Sequence, residues 1–247
     1  METSLQFEIL PQPDDFTCGP TCLQAVYAYH GTHLPLARVV DEVPRLAEGG
    51  TLAVILGCHA LRLGFRARIH TYDLQMFDPT WFGPNAPPLA EKLAAQAATK
   101  DKPKLRAATD AYLEFLQRGG EIVMEDLTTG LIRRYLKRGL PTLTGLSATY
   151  LYGAAREHGP NCDADDVRGS PAGHFVVLCG YDPGTRSVLV ADPLKPNPLG
   201  ARQPYLVSVD RVLCAILLGT LTYDANLLIL QPGEKHPGRR CGDPDCR

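Results

Sequence analysis

The chain has 247 residues, 45% of them apolar, with 25 Lys and Arg against 27 Asp and Glu and a net charge of −2 at neutral pH. That length allows one large domain or two small ones with an ample core, and the balanced charge removes the electrostatic ground for a nucleic acid partner. No apolar run approaches the ~20 residues of a spanning helix, and "METSLQFEILPQPDD" lacks a basic segment followed by an apolar core, so no membrane insertion and a cytoplasmic location are expected.

Residues 12–31, "QPDDFTCGPTCLQAVYAYHG", pass from a loop into a helix of about three turns that opens at Cys18, tolerates Pro20 in its first turn and stops at Gly31. Two more helix-like stretches follow: "LARVVDEVPRLAE", interrupted by Pro44, and "TLAVILGCHALRLG", ended by Gly64. "FRARIHTYDL" alternates like a strand, and "FDPTWFGPNAPP" reads as a loop. "LAEKLAAQAATK", "LRAATDAYLEFLQR" and "TTGLIRRYLKRG" have helical periods. From Leu140 the texture changes to strands, in "LPTLTGLSATYLY", "HFVVLCGYD", "SVLVAD", "PYLVSV" and "NLLILQP", with a helix in "DRVLCAILLG". Helices first and antiparallel-looking strands second give an α+β fold whose two layers meet at a cleft. The tail "GEKHPGRRCGDPDCR" reads as unpacked, and His236, Cys241 and Cys246 lack zinc-module spacing.

Eight cysteines raise the question of disulfides, but Cys58, Cys179 and Cys214 lie in apolar stretches where a reduced Cys serves as a small hydrophobe, so a reduced protein is expected. Cys18 and Cys22 are open to three readings: a nucleophile, a redox or metal pair, or buried thiols. Redox motifs use the tighter Cys-x-x-Cys spacing and a structural zinc needs four ligands. A nucleophilic sulfur gains from a helix N-terminus, whose unpaired N–H groups and dipole favour negative charge. Cys18 has that position, and Cys22, one turn on, points into the core.

A thiol nucleophile also needs a histidine to share its proton and a group to orient that histidine. Of seven histidines, His174 opens an obvious strand, in "SPAGHFVVLCGYDPGTRSVLVADP", a stretch with the form of a β-hairpin. A turn centred near Gly184 brings Asp192 opposite His174 or one pair away, and their even separation places both on one face, a parity that a bulge is expected to spoil. For the oxyanion, the Cys18 backbone N–H is one donor and the amide of Gln12, just upstream, is a candidate for the second.

Gln12, "TCGPTC", "GHFVVLCGYD" and "VLVADP" in this order resemble the papain-like peptidases that remove double-glycine leader peptides from bacteriocins. The resemblance implies a papain-like cysteine peptidase fold, a helical N-terminal lobe packed on an antiparallel β-sheet lobe with the active site between them. It implies Cys18 as nucleophile, His174 as base and acid, Asp192 as its orienting partner and Gln12 as the oxyanion-hole side chain, acting on a peptide or protein without cofactor or metal. Residues 1–232 are then one peptidase-type domain with a helical insertion around 78–139, and 233–247 a flexible tail. A thiol-dependent acyl or peptidyl transferase uses the same residues, and a non-catalytic peptide-binding module is a third reading.

Overall fold

A computed structural model describes residues 2–233 except 48, 101, 201 and 202. The expected tail, with His236, Cys241 and Cys246, falls almost wholly outside the described residues. The strands are β1 (Thr3–Ser4), β2 (Phe65–Thr71), β3 (Glu121–Val123), β4 (Thr142–Ser147), β5 (Glu157–His158), β6 (Asp163–Ala164), β7 (Gly173–Asp182), β8 (Ser187–Ala191), β9 (Tyr205–Ser208) and β10 (Asn226–Pro232). The helices are α1 (Cys18–Tyr29), α2 (Leu36–Glu42), α3 (Ala53–Arg62), α4 (Leu89–Thr99), α5 (Pro103–Gln117), α6 (Thr129–Lys137), α7 (Ala148–Tyr152) and α8 (Val209–Leu218).

The main sheet runs β3-β2-β10-β4-β7-β8-β9, with β1 also pairing β7. Its pairs are antiparallel except β2 with β3. The α+β class is as expected, with one addition: helices cover both faces of the sheet. The cause is legible in β7 and β10, whose uninterrupted apolar runs have no polar face to offer water. Phe175, Val177, Leu228 and Leu230 face a core shared with α1, α3 and α5, while Val176, Leu178, Leu227 and Ile229 face a second core built with α6 and α8. Each fully buried Leu or Val contributes roughly 1.5–3 kcal/mol.

The helices expected around 78–139 pack into this same scaffold. Leu93 of α4 and Leu105, Tyr112 and Phe115 of α5 are buried in the first core, and β3 extends the sheet beside β2. The strand expected over "LPTLTGLSATYLY" ends early, at Ser147, whose side chain caps α7 by accepting from the Tyr150 N–H at 3.3 Å. Gly153, with φ of 65°, closes that short helix in the left-handed conformation a glycine adopts cheaply.

Candidate active site

Cys18 opens α1, as its sequence position predicts. The Thr17 hydroxyl does not cap the helix; it turns back to donate to the Asp14 carbonyl at 3.1 Å. Pro20 has no N–H and the Thr21 N–H bonds the Thr17 carbonyl at 3.0 Å. The N–H groups of Cys18 and Gly19 are thus left without an acceptor among the described residues, and they mark the electropositive end of the helix. Gly19 is required by close approach: a Cβ there meets the Thr51 methyl at 2.7 Å and the Phe175 ring at 3.2 Å.

Cys22 has a different environment. It is fully buried, donates to the Phe175 carbonyl at 3.2 Å, and burial pushes its thiol well above the ordinary range. Among the described residues there is no disulfide and no grouping of three or more potential metal ligands.

His174 stands at the start of β7, 6% exposed, with Nε2 at 2.8 Å from Asp192 Oδ1. The ring lines the same cleft as Cys18, and with Nε2 engaged by Asp192, Nδ1 is the nitrogen left over. Burial opposes charge on the ring, but the hydrogen bond and charge of Asp192, with the nearby Cys18 sulfur, outweigh it and raise the pKa above its ordinary value. Asp192 shows the mirror effect. Burial alone would raise its pKa; the hydrogen bond and charge of His174, with the donors Tyr205 and the Leu194 N–H, lower it. An imidazolium–carboxylate pair is the form the surroundings favour.

How Asp192 comes to face His174 corrects the hairpin argument. The turn end pairs Asp182 with Ser187, a register in which residue 192 falls on the face opposite to residue 174. Past the bulge at Cys179 the pairs become Leu178 with Val190 and Val177 with Ala191, and extending that register puts Leu194 across from His174 and Asp192 on the same-face diagonal. The bulge that was expected to spoil the parity is what produces it, by inserting one unpaired residue and swapping faces beyond it.

Further donors complete the carboxylate. Tyr152, at the end of α7, and Tyr205, at the start of β9, donate to Oδ2 at 2.7 and 2.5 Å, and the Leu194 N–H donates to Oδ1 at 2.9 Å. The Asp192 N–H bonds Gln203 Oε1 at 2.9 Å. Gln12 is joined to the same strand end, its N–H bonding the Pro193 carbonyl at 2.9 Å, while its Nε2 spends one hydrogen on the Asp14 carbonyl and retains a second.

Cys18, His174, Tyr152 and Gln12 line one cleft of about 560 Å³, walled also by Phe16, Thr51 and the β5–β6 loop. Lys104 of α5 reaches this cleft, so the middle helices contribute to it. Asp224 lies beside the start of β7: a Cβ on Gly173 would run into its Oδ2. Burial, with nearby Asp73, pushes the Asp224 carboxyl up to about 7, against the pull of Thr222 and Lys104. The sequence reading missed Tyr152, Tyr205, Gln203 and Asp224. No local spacing announces them; Tyr152 and Tyr205 stood only as apolar members of strand-like runs.

Residues 89–210 of the chain match the model of the Peptidase_C39 like family. That segment contains His174 and Asp192, with Gln12 and Cys18 upstream of it. Among solved structures, the peptidase domain of Streptococcus ComA, a bifunctional ABC transporter involved in quorum sensing, is 16% identical, with 92% of this chain and 99% of that one covered and a TM-score of 0.43. A double glycine motif protease from an AMS/PCAT transporter, solved with the leader peptide, is 14% identical, with 93% and 94% covered and a TM-score of 0.43. No curated protein sequence matches the chain.

Proposed function

We propose that this chain, similar over residues 89–210 to the Peptidase_C39 like family, is a cysteine peptidase with the triad Cys18, His174 and Asp192. The observation that carries the reading is the hydrogen bond of 2.8 Å from His174 to a buried Asp192, with His174 sharing one cleft with Cys18 at a helix N-terminus.

Cys18, its sulfur at the electropositive helix end and its proton taken by His174, attacks the carbonyl carbon of a peptide bond. Negative charge moves to the carbonyl oxygen, where the Cys18 N–H and the second Nε2 hydrogen of Gln12 are the donors within this cleft. His174 gives its proton to the leaving amine as the C–N bond breaks. The thioester is then hydrolysed by a water that His174 deprotonates, and the thiolate leaves. Asp192 fixes the ring through Nε2, so that Nδ1 faces sulfur and substrate. No step calls on a metal or cofactor. The substrate is a peptide or protein segment, and residues 1–232 act as one peptidase-type domain in which the 78–139 helices are an insertion that adds Lys104 to the cleft wall. We place the protein in the cytoplasm, because Cys58 and Cys179 are buried free thiols that serve as small hydrophobes, whereas Cys214, expected to do the same, is exposed.

The test is digestion of a broad peptide library by the wild type and by Cys18→Ala, read by mass spectrometry with and without an added amine. New carboxyl termini that depend on Cys18 are expected. Products that carry the added amine in place of water identify the transferase instead, and no Cys18-dependent product overturns the reading.

A further inference from the structure

The carboxylate that orients His174 is itself held by two phenols, neither of which belongs to a three-residue account of the reaction. We propose that Tyr152 and Tyr205 are positioning residues that clamp Asp192 through Oδ2 so that Oδ1 stays turned toward His174. This deepens the peptidase reading above and rests on it.

The geometry leaves little freedom. Oδ2 takes two O–H donors at 2.7 and 2.5 Å, and Oδ1 takes the His174 ring and the Leu194 N–H. A carboxylate has about four lone-pair sites, and all four are occupied. The donors come from α7, β9 and the segment after β8, so rotation of the carboxylate breaks bonds to several elements at once. The Tyr152 ring also lies 6.0 Å from the His174 ring, tilted at 53°, and forms part of the cleft wall. Burial and the neighbouring carboxylate both push the two phenols well above their ordinary range, so they stay donors. The result is a carboxylate kept anionic without solvent, with Oδ1 held toward the His174 ring.

A purely structural role for the tyrosines predicts lost stability and nothing else. A positioning role predicts more. With Tyr205→Phe, the His174 Nε2–H proton, followed by NMR, exchanges with water faster than in the wild type, because the unclamped carboxylate rotates away more often. The rate of Cys18 alkylation by iodoacetamide falls about 10-fold, as expected for one lost hydrogen bond to a charged group, and its acid limb moves to higher pH. Tyr152→Phe acts in the same direction. In an Asp192→Asn background, Tyr205→Phe adds no further loss, because the residue it acts through is gone. Unchanged exchange and an unmoved alkylation profile in both variants overturn the clamp. The two readings fail separately: if wild-type Cys18 alkylates no faster than exposed Cys214, the peptidase reading falls, and the His174 proton still decides the clamp.

Discussion

Two aspartates approach the same strand start from opposite sides, and their surroundings drive them in opposite directions. Asp192 is held down to about 2 and Asp224 is pushed up to about 7. Both are buried, at 1% and 6% exposure. Burial raises both; what separates them is the number of partners. Asp192 has an imidazolium, two phenols and a backbone N–H, whereas Asp224 has the Thr222 hydroxyl at 2.6 Å and the like charge of Asp73. Donor count rather than depth decides which carboxyl can serve as a permanent anion at neutral pH.

The contrast is broken most severely at the Asp192 side. Replacing His174 with Ala is expected to lower Cys18-dependent cleavage by at least ~10³-fold, and Asp192→Asn by roughly 10²- to 10⁴-fold, since the ring then loses its charged anchor. Steady-state rates on any peptide found cleaved give both numbers. Next is the boundary between the two aspartates. Gly173→Ala drives a methyl against Asp224 Oδ2 and the Thr222 hydroxyl, and a loss of about 1–3 kcal/mol in urea unfolding is expected, with slower cleavage because His174 is the next residue.

At Asp224 the prediction concerns pH. A carboxyl whose folded pKa is raised binds its proton more tightly in the fold than in the unfolded chain, so stability falls as pH climbs from about 4 toward 7. Asp224→Asn removes that decline, and thermal melts of both proteins across this window should converge at the acid end. Asp192 contributes with the opposite sign: its stabilisation is complete above the unfolded carboxylate range and is lost as pH falls toward 2. The smallest effect belongs to Cys22. Cys22→Ala removes a buried thiol and its bond to Phe175, for about 1–2 kcal/mol in denaturant unfolding, and leaves Cys18 alkylation where it was.

What could be read from the sequence was local. Cys18 at a helix mouth follows from Pro20, Gly31 and an apolar period within twenty residues, and the β7–β8 hairpin follows from two apolar runs around "DPGT". The pairing of His174 with Asp192 was reached by a parity argument that held only because an extra residue at Cys179 compensates a turn centred half a residue further along. No pattern rule announces such a bulge. The clamp was out of reach for another reason: Tyr152 and Tyr205 are 40 and 13 residues from Asp192, on separate elements, and meet it only through the packing of α7 and β9 around the strand end. Asp224 stands two residues before β10, where nothing in "YDANLLIL" separates a buried acid from a turn residue. Lys104 stands one residue before "LRAATDAYLEFLQR", and a helical period says how a helix packs and not which end of it meets a cleft.

The most direct test of the central claim is the rate at which iodoacetamide modifies each cysteine at mildly acidic pH, in the wild type and in His174→Ala. The account predicts that Cys18, although nearly buried, reacts faster than exposed Cys214, and that this advantage disappears in His174→Ala. Equal rates in the wild type, or a Cys18 rate indifferent to the loss of His174, would contradict it.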